Sequence, residues 1–229
     1  MTKITHCIFD MDGLLLDTER VYTEVTQQIL DKHANGVKFT WDVKSKLMGR
    51  TGDESATMVV ETYKLPMTVP EYLEIMSTIQ EDLFPHVMIL PGVEKFVRHL
   101  KAHGIPMAVA TSSTRNKFDL KTSLNKEFFE LFDVIICGDD AEIKRGKPAP
   151  DLFLAAQKHL GNPPSENCLV FEDAVNGVEA GLNANMHVVW IPDENIKCLT
   201  GDENHGATVV LKSMEDLVPE DFGLPPYDK

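Results

Sequence analysis

Cysteine is scarce and unclustered in this 229-residue chain: Cys7, Cys137, Cys168 and Cys198 stand far apart, with no CxxC pair and no Cys/His grouping. A disulfide framework or a structural zinc site is therefore not expected. The thiols read as buried free groups in a reducing compartment, which points to the cytoplasm. The eight histidines form no HExxH pattern, so a catalytic zinc is not expected either. Long hydrophobic runs are missing: no stretch approaches the roughly 18 apolar residues of a membrane span. The N-terminus enters a short strand-like segment with no basic, hydrophobic leader. Positive charge is in short supply, with 22 Lys plus Arg against 36 Asp plus Glu and a net charge of -14. Such a surplus offers no field for collecting nucleic acid or an anionic membrane, although a local basic pocket inside it is compatible with the sum. Neither nucleic acid nor membrane is an expected partner, and the chain is expected to act as a monomer.

What is present is the composition of a folded globule, 43% apolar and 25% charged, at a length that suits one domain or one domain with an insert. Short apolar runs recur: Ile4 to Phe9, Ile105 to Ala110, Asp133 to Cys137, Asn167 to Phe171, His187 to Ile191 and a weaker Ala207 to Leu211. Between them lie helical spacings. Val93, Phe96, Val97 and Leu100 form one face, Leu152, Phe153, Ala156 and Leu160 another, and Val175, Val178, Glu179 and Leu182 a third. Near-continuous apolar strands alternating with helices predict an α/β fold, a doubly wound and mainly parallel sheet covered on both faces.

Residues 17–88 break this rhythm, with helical patterns and no convincing strand. Val21, Val25 and Ile29 share one stripe, Ala56, Val59, Val60 and Tyr63 another, and 68–84 reads as a helix with Pro70 near its first turn. A crossover between parallel strands needs only about a dozen or more residues, so the excess reads as a small helical cap inserted after the first strand. The expected division is core over 1–16, cap over 17–88 and core again over 89–229, reopened by Pro91-Gly92. In the acidic, proline-marked tail, Leu217, Phe222 and Leu224 are expected to dock on the core.

Open parallel sheets collect ligands beyond the carboxyl ends of their strands. There the sequence sets Asp10 and Asp12 after the first strand, Thr111 and Ser112 after the second, and Glu172 and Asp173 after the run ending at Phe171. Lys147 lies in the loop after the Cys137 strand. Asp10, Asp12 and Asp173 make an oxygen-rich site for a hard cation. Magnesium is favoured over calcium because a few carboxylates retaining several waters suit its octahedral habit. An EF-hand loop opening at Asp10 would need its glutamate where Val21 stands. A carboxylate beside magnesium can attack phosphorus, since the metal neutralises the phosphoryl oxygens that would repel it. Lys147 adds positive charge, and Thr111 a hydroxyl.

At these residues the chain resembles the haloacid dehalogenase superfamily, whose four signatures appear in order: FDMDG at Phe9 to Gly13, AVATSS at Ala108 to Ser113, KPAPD at Lys147 to Asp151 and VFEDAVNG at Val170 to Gly177. The match runs over essentially the whole chain and is similar to the branch with a helical cap. The resemblance implies phosphoryl transfer from a small phosphomonoester, a nucleoside or sugar monophosphate. Asp10 would act as nucleophile and Asp12 as general acid and base. Magnesium would be held by the Asp10 carboxylate, the Asp12 backbone carbonyl and Asp173, with Glu172 and Asn176 in support. Thr111, Ser112 and Lys147 would steady the phosphoryl group. Gly177 and Gly181 would permit close packing. In the cap, Glu19 and Arg50 are candidates for reading the substrate. Trp41 is read either as a base-stacking ring or as core, and Arg115 either as a pocket residue or as an ordinary helix-start charge. Sugar-phosphate mutases share the same nucleophile and metal set, so hydrolysis and mutation of the phosphate position both stay open from sequence.

Overall fold

The computed structural model describes residues 3–47, 52–193 and 204–227. Two compact units share the chain: Met1–Leu16 with Met88–Lys229, and Asp17–Val87. The smaller unit consists of helices α1 (Thr18–His33), α2 (Trp41–Leu47), α3 (Gly52–Tyr63) and α4 (Val69–Leu83) among its described residues. Both α1 and α3 pack on α4. Val21, Val25 and Ile29 bury the inner stripe of α1, and Ala56 and Val59 that of α3. Helix α4 begins with a capping box. The Thr68 hydroxyl accepts the Glu71 N–H, and the Glu71 carboxylate accepts the Thr68 N–H at 2.7 Å. Pro70 sits in its first turn, where a missing N–H costs nothing.

Among its described residues the larger unit carries a sheet of six parallel strands: β1 (His6–Phe9), β2 (Met107–Ala110), β3 (Val134–Ile136), β4 (Cys168–Glu172), β5 (His187–Trp190) and β6 (Val209–Val210). Their order is β3-β2-β1-β4-β5-β6. Each of the apolar runs is a strand. Every residue of β2 and β4 is buried, which is why these strands read as continuous apolar runs without alternation. Helices α5 (Val93–Ala102), α6 (Arg115–Thr122), α7 (Lys126–Phe129), α8 (Asp151–His159) and α9 (Val175–Asn183) complete the alternation. Helix α8 packs on β1, β2 and β3, and α9 on β4 and β5. The chain leaves β1 for β2 on one side while β4 pairs on the other, which makes the end of β1 the topological switch point.

Register then places the polar residues. Phe9 lies opposite Val109 on one side and Phe171 on the other. The Asp10 N–H donates to the Phe171 carbonyl at 3.0 Å, so β1 and β4 end level with each other. Beneath that rim, Phe9 stacks on Phe171 with centroids 4.6 Å apart, and meets Phe96 and Phe132 edge-on at 6.0 and 5.7 Å. Gly13, at φ 80°, turns the chain so that its N–H reaches the Leu16 carbonyl at 2.9 Å. The returning Leu90 N–H then donates to Leu15 at 3.0 Å.

The buried face of α9 differs from the expected one. Gly177, Val178, Ala180 and Gly181 are buried while Glu179 is exposed. The helix approaches the sheet so closely that a Cβ on Gly181 would lie 2.7 Å from Val188 Cγ2. Small residues set that distance, and they carry no apolar signal to read. Cys7, Cys137 and Cys168 are free and buried, and burial pushes the Cys137 thiol up to about 12, the Cys168 thiol up to about 11 and the Cys7 thiol up as well. Cys198 lies outside the described residues. Leu217, Phe222 and Leu224 dock on the core, and Ile4 donates its N–H to the Phe222 carbonyl at 3.2 Å. Among the described residues no helix is long and apolar enough to cross a membrane.

Candidate active site

Asp10, only 6% exposed, follows the last residue of β1. Lys147 Nζ lies 2.5 Å from Asp10 Oδ1, 2.6 Å from Glu172 Oε1 and 3.2 Å from the Ala110 carbonyl. One ammonium therefore ties the ends of β1, β2 and β4 together. The second oxygen of Glu172 accepts the backbone N–H groups of Asp173 and Ala174 at 3.1 and 3.2 Å, which shapes the turn into α9. Glu172 fits there because Gly177 has no side chain: a Cβ at that position would come 1.9 Å from Glu172 Cδ.

Burial pushes Asp10 up to about 7; Lys147 opposes the shift, while Glu172 and Asp12 add to it. Burial works against the charge on Lys147, but Asp10 and Glu172 outweigh it and hold the ammonium above the ordinary lysine range. Negative charge is thus left over at the rim. Oxygens of Asp10, Glu172 and Asp173 all lie within 4.8 Å of one another, and all three residues are buried. Three carboxylate oxygen donors with surplus negative charge fit a hard, magnesium-type cation.

A second group of contacts surrounds Asp12. Lys121 Nζ, on α6 and fully buried, lies 2.5 Å from Asp12 Oδ1. The Ser113 hydroxyl donates to Asp12 Oδ2 at 2.8 Å and accepts from Lys121 at 2.9 Å. Thr111 donates to Asp12 Oδ2 at 3.4 Å, and its hydroxyl accepts the Ser113 N–H at 3.0 Å. Thr111 and Ser113 stand two apart and share a side, while Ser112 between them is exposed.

The sequence of residues 7–191 matches the family of haloacid dehalogenase-like hydrolases. The chain belongs to that family. It is 44% identical to a probable pseudouridine-5'-phosphatase of Drosophila melanogaster, over 99% of this chain and 97% of the relative. It is 42% identical to (DL)-glycerol-3-phosphatase 2 of Arabidopsis thaliana, over 99% of this chain and 94% of the relative. A HAD family hydrolase from Deinococcus radiodurans, solved with bound phosphate and sodium, superposes with a TM-score of 0.79 at 26% identity, covering 99% of this chain and 100% of that chain.

Asp10, Glu172, Asp173 and Lys147 converge at the ends of β1 and β4, and Asp12 and Thr111 adjoin them. Asn176 stands in the first turn of α9. Arg115 latches the turn after β3, with its N–H on Asp139 at 2.8 Å and its guanidinium on the Ile135 carbonyl and Asp140. Glu19 belongs to the helical unit, where its carboxylate meets Lys44 at 3.2 Å, and the Lys44 ammonium lies 4.9 Å over the Trp41 ring. Arg50 lies outside the described residues. No motif or strand-end position marks Lys121 as a site residue. Its signal was faint: Phe118, Lys121 and Thr122, at helical spacing, form the buried face of α6, and a lysine on such a stripe needs a partner.

Proposed function

We propose that this haloacid dehalogenase-like hydrolase is a magnesium-dependent phosphatase whose substrate is pseudouridine 5'-phosphate. The carrying observation is Asp10, a buried carboxylate gripped on one oxygen by Lys147 within a cluster of acids. Asp10 attacks phosphorus, the ester P–O bond breaks, and Asp12 gives its proton to the departing alkoxide. Water then attacks the aspartyl-phosphate while Asp12 takes its proton, releasing inorganic phosphate and restoring Asp10. Magnesium, held by Asp10, Asp173 and the Asp12 backbone carbonyl, would neutralise phosphoryl oxygens and admit the anionic nucleophile. Lys147 holds Asp10 in its attacking orientation, Thr111 and Ser112 receive phosphoryl oxygens, and Glu172 braces Lys147.

The substrate assignment is supported by the whole-length likeness to the Drosophila relative. It is also supported by the resemblance of WDVKSKLMGR, KTSLNKEFF and FGLPPY to pseudouridine-5'-phosphatase. Phosphate release from pseudouridine 5'-phosphate, uridine 5'-phosphate, glycerol 3-phosphate and hexose phosphates, with magnesium and then with chelator, tests it. The expected result is fastest release from pseudouridine 5'-phosphate, lost on chelation. Asp10→Asn should lower turnover by about 10³-fold or more. Faster release from glycerol 3-phosphate overturns the substrate, and an isomerised sugar phosphate without free phosphate overturns hydrolysis itself.

A further inference from the structure

Two lysines divide the rim between them. Lys147 serves Asp10 and Glu172, whereas Lys121 reaches Asp12 and Ser113 from a different element. Lys121 has no exposed side-chain surface. An ammonium is held in such a place only when its charge is met by partners, because desolvating it alone is prohibitive. Those partners include the carboxylate of Asp12, whose other oxygen takes the Ser113 and Thr111 hydroxyls. Both oxygens of Asp12 are thereby fixed, and the clamp on Oδ1 comes from outside the family signature that supplies the two hydroxyls.

We propose that Lys121 is a positioning residue for Asp12. It fixes the carboxylate at the side of the site where the leaving oxygen and, later, the hydrolytic water exchange protons. The proposal rests on the phosphatase reading above. Misplacing a proton-transfer group by about 1 Å can cost on the order of 10²-fold, so loss of the clamp should slow the steps that need Asp12 and spare the one that does not.

The test compares esters by leaving group. Phosphoenzyme formation from p-nitrophenyl phosphate expels a phenolate that needs no proton, whereas an alkyl monophosphate expels an alkoxide that does. In Lys121→Met, of nearly the same shape without the charge, the burst of p-nitrophenolate should keep its wild-type rate while the following steady state slows. Single-turnover cleavage of the alkyl ester that the wild type hydrolyses fastest should slow by about 10²-fold. Equal loss of the p-nitrophenolate burst and of alkyl cleavage overturns the proposal, as does wild-type behaviour with both esters. If Lys121→Met does not fold by circular dichroism, Ser113→Ala carries the test. It should show the same selective loss at smaller size, and an unselective loss or no loss overturns the proposal. A wild-type enzyme that releases phosphate from no ester sinks the phosphatase reading itself, while an active wild type with an unselective variant sinks only the role of Lys121.

Discussion

A carboxylate held at the end of a buried strand destabilises the fold whenever it is ionised without a sufficient counter-charge, and Asp10 is in that position. Its pKa is pushed from 3.8 up to about 7, first by burial and then by Glu172 and Asp12 against the pull of Lys147. Between those values the folded protein keeps a proton that the unfolded chain has released. Stability from this group therefore falls as pH rises through the window, is undiminished below about pH 4 and is at its lowest above about pH 7. A cation that binds the ionised form offsets the loss. Magnesium should accordingly raise the melting temperature more at pH 7.5 than at pH 5, and Asp10→Asn should remove most of that difference. Thermal melts with and without magnesium at the two pH values check this; an equal or larger gain at pH 5 contradicts it. The residue was legible in sequence as a strand-end acid. Its raised pKa was not, because burial and neighbouring charge depend on what packs around it.

At the scale of elements, α9 shows two opposed effects of known size. Alanine is favoured over glycine inside a helix by about 0.8–1 kcal/mol, so Gly177→Ala would stabilise an isolated helix. Here the new Cβ would meet Glu172 Cδ at 1.9 Å. Glu172 cannot swing aside cheaply, because it is 1% exposed and pinned by Lys147 and by the N–H groups of Asp173 and Ala174. Overpacking at a site of this kind costs about 1–3 kcal/mol, so the clash outweighs the propensity. Gly177→Ala should lower the urea midpoint and also lower turnover, since Glu172 must leave Lys147 to make room. At Gly52, where no atom of the described residues lies within 4 Å of the added Cβ, the same substitution should do neither. The start of α4 was readable from Pro70 in the first turn of an apolar stripe over 68–84, whereas the Thr68–Glu71 capping box emerged only in the structure. The face that α9 buries was not readable either, because glycine and alanine set its distance to the sheet without any apolar pattern.

At the scale of the whole molecule, the rim of acids rests on the aromatic core of the larger unit. Phe9 is fully buried and touches Phe96, Phe132 and Phe171, which come from separate parts of the chain. Phe9→Ala should cost about 3–5 kcal/mol, read from urea unfolding. Leu154→Ala, at a residue 41% exposed, should stay within about 0.5 kcal/mol; equal costs would contradict Phe9's place in that unit's core. The sequence alone determined the alternation of strands and helices, the helical insert after β1 and the acids at the strand ends. Apolar runs and stripes report burial locally, and a polar residue that ends such a run must lie at the sheet's edge. Tertiary structure decided the rest: the order of the strands, the choice of Ser113 over Ser112 to meet Asp12, the seat of Glu172 against Gly177, and the pairing of Asp12 with Lys121 from 109 residues away. Each of these depends on register and reach between segments distant in the chain, and a buried lysine shows its purpose only when the carboxylate that compensates it has been brought alongside.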